Sequence, residues 1–178
     1  MYYLDGDCAH LWFGCNGLLQ NMETYFINSN PSRRPTLFIH SYYLLGNFIR
    51  DENWPRIKRF TTANLPKNCK YIFDCGKIII SINESLHWTF YCIYVQEKVI
   101  AYYDSFNPKT QPHSFPVKYL HAWLKKESEE LGIQFHEWEW SFVFVPVQKQ
   151  PNALDCGFHM IKNALLVTMD LPMLDLKV

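Results

Sequence analysis

The sequence predicts an α+β domain in which a small mixed sheet is packed between helices. Two observations carry this reading. Three short β-branched and aromatic runs crowd together between residues 77 and 103, and helical apolar periodicity flanks them on both sides. A further aromatic strand pattern follows the second helical stretch, so the order is helices, strands, a crossover helix, a strand and a last helix. At 178 residues the chain is expected to form one domain over 1–178, large enough to bury a sizeable core.

The elements follow in order. Asp5 to Met22 places Leu11, Phe13, Leu18 and Leu19 at apolar positions and predicts a helix, weakened by Gly14 and Gly17. Residues 28–35 (NSNPSRRP) predict a loop. A second helix is expected over Leu37 to Ile49, and Asp51 to Lys70, with two prolines, is expected to be irregular. Residues 77–82 (KIIISI) are too short for a helix and rich in β-branched side chains. Trp88–Val95 and Lys98–Tyr103 read as strands joined by a tight Gln96-Glu97 connection. Ser114 to Leu131 predicts a helix with Ser114 as N-cap, Pro116 near its first turn and Gly132 at its end; Val117, Leu120, Leu124 and Leu131 form its buried stripe. Trp138, Trp140, Phe142 and Phe144 alternate with other residues and predict a strand with an aromatic core face. The last helix is expected to begin at Asp155 or Cys156, to turn Phe158, Ile161, Leu165 and Met169 inward, and to close before Pro172.

Composition narrows the function classes. Hydrophobic residues are 48% of the chain and aromatic ones 17%, which excludes a disordered segment. The 17 basic and 17 acidic residues cancel, so neither nucleic acid nor an anionic membrane is expected as a partner. No apolar run approaches the roughly 18 residues of a membrane span. Asp5 and Asp7 interrupt the amino terminus, and no signal peptide is expected. An intracellular monomer, in nucleus or cytoplasm, is the reading. The six cysteines show no C-x-x-C pair and are expected to be reduced; the spacing of Cys69, Cys75 and His87 is not that of a zinc site. No metal or other cofactor is called for. Lys125 to Glu130 reads as a solvated helix face with a Lys125/Glu129 pair, and residues 56–59 (RIKR) as a surface loop.

Chemistry concentrates in three places. Cys156 stands at a predicted helix start, where unpaired N–H groups and the helix dipole favour a thiolate. Gly157 beside it permits close backbone approach, and Gln150 six positions upstream offers an amide that could donate to an oxyanion. Taken alone, Cys156 reads more readily as a small buried hydrophobe at a helix start, and Gly157 and Gln150 are what turn the reading. His87 begins an apolar strand, with Trp88 next to it as a wall for the imidazole; His159, one turn after Cys156, is its rival as base. Asp104 ends the strand that follows, within reach of His87 across a tight hairpin, and reads equally as an Asx-turn residue.

His87-Trp88, Tyr103-Asp104-Ser105 and Gln150-Pro151-Asn152 with Asp155-Cys156-Gly157 resemble, in this order, the signature blocks of the ubiquitin-like-protein proteases. These are the SUMO- or sentrin-specific cysteine peptidases of the adenovirus-protease clan. The order differs from that of papain-like enzymes, in which the cysteine comes first. Tyr3-Leu4-Asp5 is more weakly similar to that family's early Trp-Leu-Asn-Asp motif, with Tyr3 where a tryptophan is usual. The resemblance implies a ubiquitin-like-protease (adenain-type) fold and hydrolysis after the C-terminal Gly-Gly of SUMO or another ubiquitin-like modifier, through a thioester on Cys156. It implies His87 as base, Asp104 as its orienter, Gln150 as oxyanion donor, and Trp88 and Tyr3 as substrate-binding walls. It also implies the modifier and its conjugates as partners. The chain stops soon after the Cys156 helix, short of the family's closing helix, as a truncated or minimal domain would. Two other classes compete: an inactive modifier-binding module, disfavoured by the intact His/Asp/Gln/Cys set, and a YopJ-type acyltransferase, disfavoured by Asp104 where such enzymes use Glu.

Overall fold

The computed structural model describes residues 32–40, 52–84, 86–106 and 117–173. Elements are numbered over these residues. Five strands form one mixed sheet: β1 (Thr36–His40), β2 (Lys77–Glu84), β3 (His87–Tyr94), β4 (Val99–Tyr103) and β5 (Ser141–Phe144). Their spatial order is their chain order. The central pairs β2–β3 and β3–β4 are antiparallel, while β1–β2 and β4–β5 at the two edges are parallel. Both edge pairings therefore need crossovers, and the one between β4 and β5 contains α2 (Val117–Glu130). The predicted α+β class, a small mixed sheet between helices, is the class observed.

Strand alternation sorts the core into two layers. Leu37, Ile39, Ile78, Ile80, Ile82, Tyr91, Ile93, Ile100 and Tyr102 face one side, where Ile57 of α1 (Trp54–Asn64) and Leu120, Trp123 and Leu124 of α2 cover them. Phe38, Ile79, Trp88, Phe90, Cys92, Ala101 and Tyr103 face the other, against Cys156, Met160, Ala164 and Val167 of α3 (Cys156–Thr168). The far end of α3 is tied to the sheet by Lys77 Nζ, which donates to the Val167 carbonyl at 2.8 Å.

Several expectations need correction. Leu37–His40 is strand, not the start of a helix. Leu37, Phe38 and Ile39 are buried on alternating faces, and a short apolar run buried on both sides carries no period that separates strand from helix. Residues 41–49, the predicted 5–22 helix, Ser114 and Pro116 lie outside the described residues. The Asp51–Lys70 stretch is not irregular throughout, because α1 occupies Trp54–Asn64. Its prolines bracket the helix: Pro55 sits in the first turn, where a missing N–H costs nothing, and Pro66 follows the end. Asn53 Oδ1 caps it, accepting from Arg56 N at 3.2 Å. Residues 56–59 are thus helical, and Lys58 pairs with Glu127 (2.6 Å) and Glu130 (2.8 Å) of α2. Glu127 is accordingly buried, so residues 125–130 are only partly a solvated face; the pair formed there is Lys126–Glu129 at 3.2 Å. The 138–144 strand is shortened to β5 behind a 3₁₀ turn, Glu137–Glu139, and Trp138 is 80% exposed rather than core. On α3 the buried apolar set is Cys156, Met160, Ala164 and Val167; the expected Ile161 and Leu165 pack partly against it, while Phe158 is 69% exposed. That helix is apolar on most of its circumference, so periodicity alone left its phase undetermined.

Candidate active site

β3 begins at His87, directly after Leu86, whose positive φ of 65° is a strained conformation for a side-chain-bearing residue. β4 ends at Tyr103, which places Asp104 beside the beginning of its antiparallel neighbour. His87 Nε2 lies 2.8 Å from Asp104 Oδ1. The same carboxylate oxygen accepts from Phe106 N at 2.8 Å, so the Asx turn and the bond to the imidazole coexist on one buried side chain. The Phe106 ring meets the His87 ring edge-on, with centroids 5.7 Å apart.

With Nε2 engaged by Asp104, the imidazole is also close enough to the Cys156 sulfur for each group to shift the other's titration. Cys156 is the first residue of α3. Its thiol donates to the Leu86 carbonyl at 3.8 Å, and the Trp88 and Gly157 backbone N–H groups lie where they favour the charged sulfur. Burial pushes the thiol up, but His87 and the two N–H groups outweigh it and hold the thiol below its ordinary value of 9.0. Burial likewise opposes charge on His87, yet the bonds to Asp104 and Cys156 prevail and raise the imidazole from 6.5 to about 9. Both shifts favour the same state, a thiolate beside an imidazolium.

Gln150 is buried on the connection between β5 and α3. Its backbone N donates to the Ser105 carbonyl at 2.8 Å. Its side chain accepts at Oε1 from Ser105 Oγ (2.7 Å) and donates from Nε2 to the Asn152 carbonyl (2.6 Å). Asn152 Oδ1 accepts from Leu154 N (2.7 Å) and Asp155 N (3.1 Å), and its Nδ2 donates to Asp155 Oδ2 (2.7 Å). This turn stands where a side-chain cap would, since Asp155 makes no capping bond of its own, and it delivers Cys156 at the helix start.

The structure therefore brings together His87, Asp104 and Cys156, with Gln150 joined to the residue after Asp104. Trp88 is buried in the same apolar layer as Cys156. Tyr3 lies outside the described residues. His159 is buried one turn along α3, its Nδ1 has no hydrogen-bond partner among the described residues, and burial lowers its pKa, which disfavours the charged form. Cys69 and Cys75 approach to 3.7 Å near the start of β2, and among the described residues no three His, Cys, Asp or Glu side chains group as metal ligands. No helix among the described residues is long and apolar enough to cross a membrane. Sequence reasoning assigned nothing to Ser105, Asn152, Leu86 or Phe106. Adjacency to Asp104 was the signal for the first; for Leu86 the sequence carried none.

The family model for the C-terminal catalytic domain of Ulp1 proteases matches residues 47–176. Ubiquitin-like-specific protease 1A of Arabidopsis thaliana is 23% identical over 150 residues, covering 80% of this chain and 29% of the relative. The chain thus spans less than a third of that protein's length. Among solved structures, the SUMO protease Ulp1 with its catalytic cysteine oxidized to a sulfinic acid superposes with a TM-score of 0.68 at 24% identity, over 89% of this chain and 68% of that one. The Ulp1 protease domain in complex with Smt3, the yeast ortholog of SUMO, gives 0.63 at 23%, over 80% and 61%. These superpositions establish a shared fold.

Proposed function

Because this chain belongs to the Ulp1 protease family, we propose that it is a thiol protease or isopeptidase for SUMO or another ubiquitin-like modifier. The single observation that carries this is Asp104 bonded to His87 beside Cys156 at the start of α3, with both shifts favouring the ion pair. The Cys156 thiolate attacks the carbonyl of the modifier's terminal glycine. Gln150 donates to the oxyanion that forms, and His87 protonates the departing lysine amine or peptide nitrogen. Water, deprotonated by His87, then hydrolyses the thioester. Asp104 holds the imidazole in the orientation and charge state both steps need.

Trp88 forms a wall of the passage for the Gly-Gly tail, which admits glycine because a Cβ would meet the ring. Tyr3 is assigned to the opposite wall. Exposed apolar side chains adjoin the reacting residues in sequence: Leu86 (68% exposed), Phe106 (49%) and Leu154 (71%). Such a collar suits a protein substrate better than a small polar one. The Smt3 complex of the related domain supports a folded modifier as that substrate. Incubating the purified protein with SUMO and other ubiquitin-like precursors in parallel tests the reading. Release of the tail after Gly-Gly from at least one precursor, and loss of release in Cys156→Ser, is the expected result. Failure to cleave any precursor or conjugate would overturn it.

A further inference from the structure

A glutamine amide presents nearly the same shape either way round, and only its partners decide which end faces the reaction. For Gln150 that decision matters, because Nε2 stabilises an oxyanion and Oε1 repels one. The Asn152 carbonyl, 2.6 Å from Nε2, tolerates only the donor end. The Ser105 hydroxyl, 2.7 Å from Oε1, holds the acceptor end in a place where both side chains are buried. Nε2 keeps its second N–H for the oxyanion. We infer that Ser105 is a positioning residue that fixes the Gln150 amide with its donor toward the reacting carbonyl, so that the dipeptide Asp104-Ser105 orients both the base and the oxyanion donor. Backbone geometry supports this coupling: Gln150 N donates to the Ser105 carbonyl at 2.8 Å, and Asp104 Oδ1 accepts from Phe106 N across Ser105. Losing the hydroxyl leaves Oε1 buried without its donor, and the amide then shifts out of line with the reacting carbonyl.

The inference rests on Gln150 being the oxyanion donor, and the test separates the two. Ser105→Ala, Gln150→Ala and the double variant are assayed for kcat and KM on a cleaved modifier precursor, with circular dichroism checking the fold. Ser105→Ala is expected to lower kcat about 10-fold, a fraction of the loss from removing the donor itself. KM stays within about 2-fold, and the position of the alkaline limb of the pH profile is unchanged, since Asp104 and His87 keep their bond. The double variant should be no slower than Gln150→Ala, because one residue acts through the other. Ser105→Thr restores kcat and Ser105→Val does not, a pair of equal shape that also decides the matter should Ser105→Ala unfold. Near-normal kcat in Ser105→Ala or Ser105→Val beside a crippled Gln150→Ala overturns the inference alone, as do fully multiplicative losses in the double variant. Near-normal kcat in Gln150→Ala overturns the oxyanion reading beneath it, and the inference with it.

Discussion

Cys92 and Cys156 sit in the same apolar layer, on β3 and at the start of α3, and both are buried. Their thiols are nonetheless driven apart. Burial pushes Cys92 up to about 12, with only weaker opposition from Lys77 and Tyr94. At Cys156 burial pushes the same way, but an imidazole and two backbone N–H groups reverse the direction. Cys92 lies in the strand interior, whereas Cys156 meets one N–H from the start of α3, at Gly157, and one from the beginning of β3, at Trp88. Burial therefore sets how costly a charge is, and the local backbone decides whether that cost is met. The comparison explains why one cysteine fills space and the other is placed to react.

Exchanging sulfur for oxygen at each position breaks the comparison most sharply. Cys156→Ser is expected to abolish precursor cleavage while modifier binding, followed by calorimetry, persists. Removing the base is the next largest effect: His87→Ala should lower kcat/KM by about 100–10,000-fold, whereas His159→Ala shows mainly in the melting temperature. Comparable kinetic losses in both folded variants would reopen the choice of base. Gln150→Ala should lower kcat about 100–1,000-fold with little change in KM, and Gln150→Glu should be slower still, because a carboxylate repels the oxyanion.

The pH dependence sharpens the contrast without mutation. The His87 imidazole is raised to about 9, so the imidazolium that supports the thiolate persists through neutrality and is lost as pH rises through about 9. The Cys156 thiol is lowered, so its thiolate absorbance should develop below the ordinary thiol range and disappear from that range in Cys156→Ser. A titration confined to that ordinary range, and unchanged by His87→Ala, would contradict the ion pair. Cys92→Ser has the smallest effect on chemistry: cleavage is expected to persist, with about 1–3 kcal/mol lost in chemical denaturation from a poorly paired buried hydroxyl.

These differences also mark what was legible in the sequence. β2, β3, β4 and α2 were readable because β-branched runs, a tight connection and helical spacing each pointed to one structure. β1 and the phase of α3 were not, since uniformly apolar stretches carry little period. At the candidate site, Cys156, His87, Asp104 and Gln150 stood out as residue types at suggestive spacings. Their support did not: the Asn152 turn, the left-handed Leu86 and the Ser105 hydroxyl act through backbone geometry and a contact 45 residues apart in sequence. Such contacts appear only once the strands are in register. The α1 helix was hidden differently, because prolines that bracket a helix look in sequence like prolines that break one.

The central claim is that Cys156, alone among the four thiols of the described residues, is held ready for a modifier's C-terminus. SUMO carrying a vinyl-sulfone electrophile in place of its terminal carboxylate, offered beside matched probes of other ubiquitin-like modifiers to the purified protein, tests it most directly. Peptide mapping should find at least one probe attached to Cys156, no label on Cys69, Cys75 or Cys92, and none at all in Cys156→Ser. Attachment at another cysteine, or no reaction of any probe with the folded wild-type protein, would contradict the account.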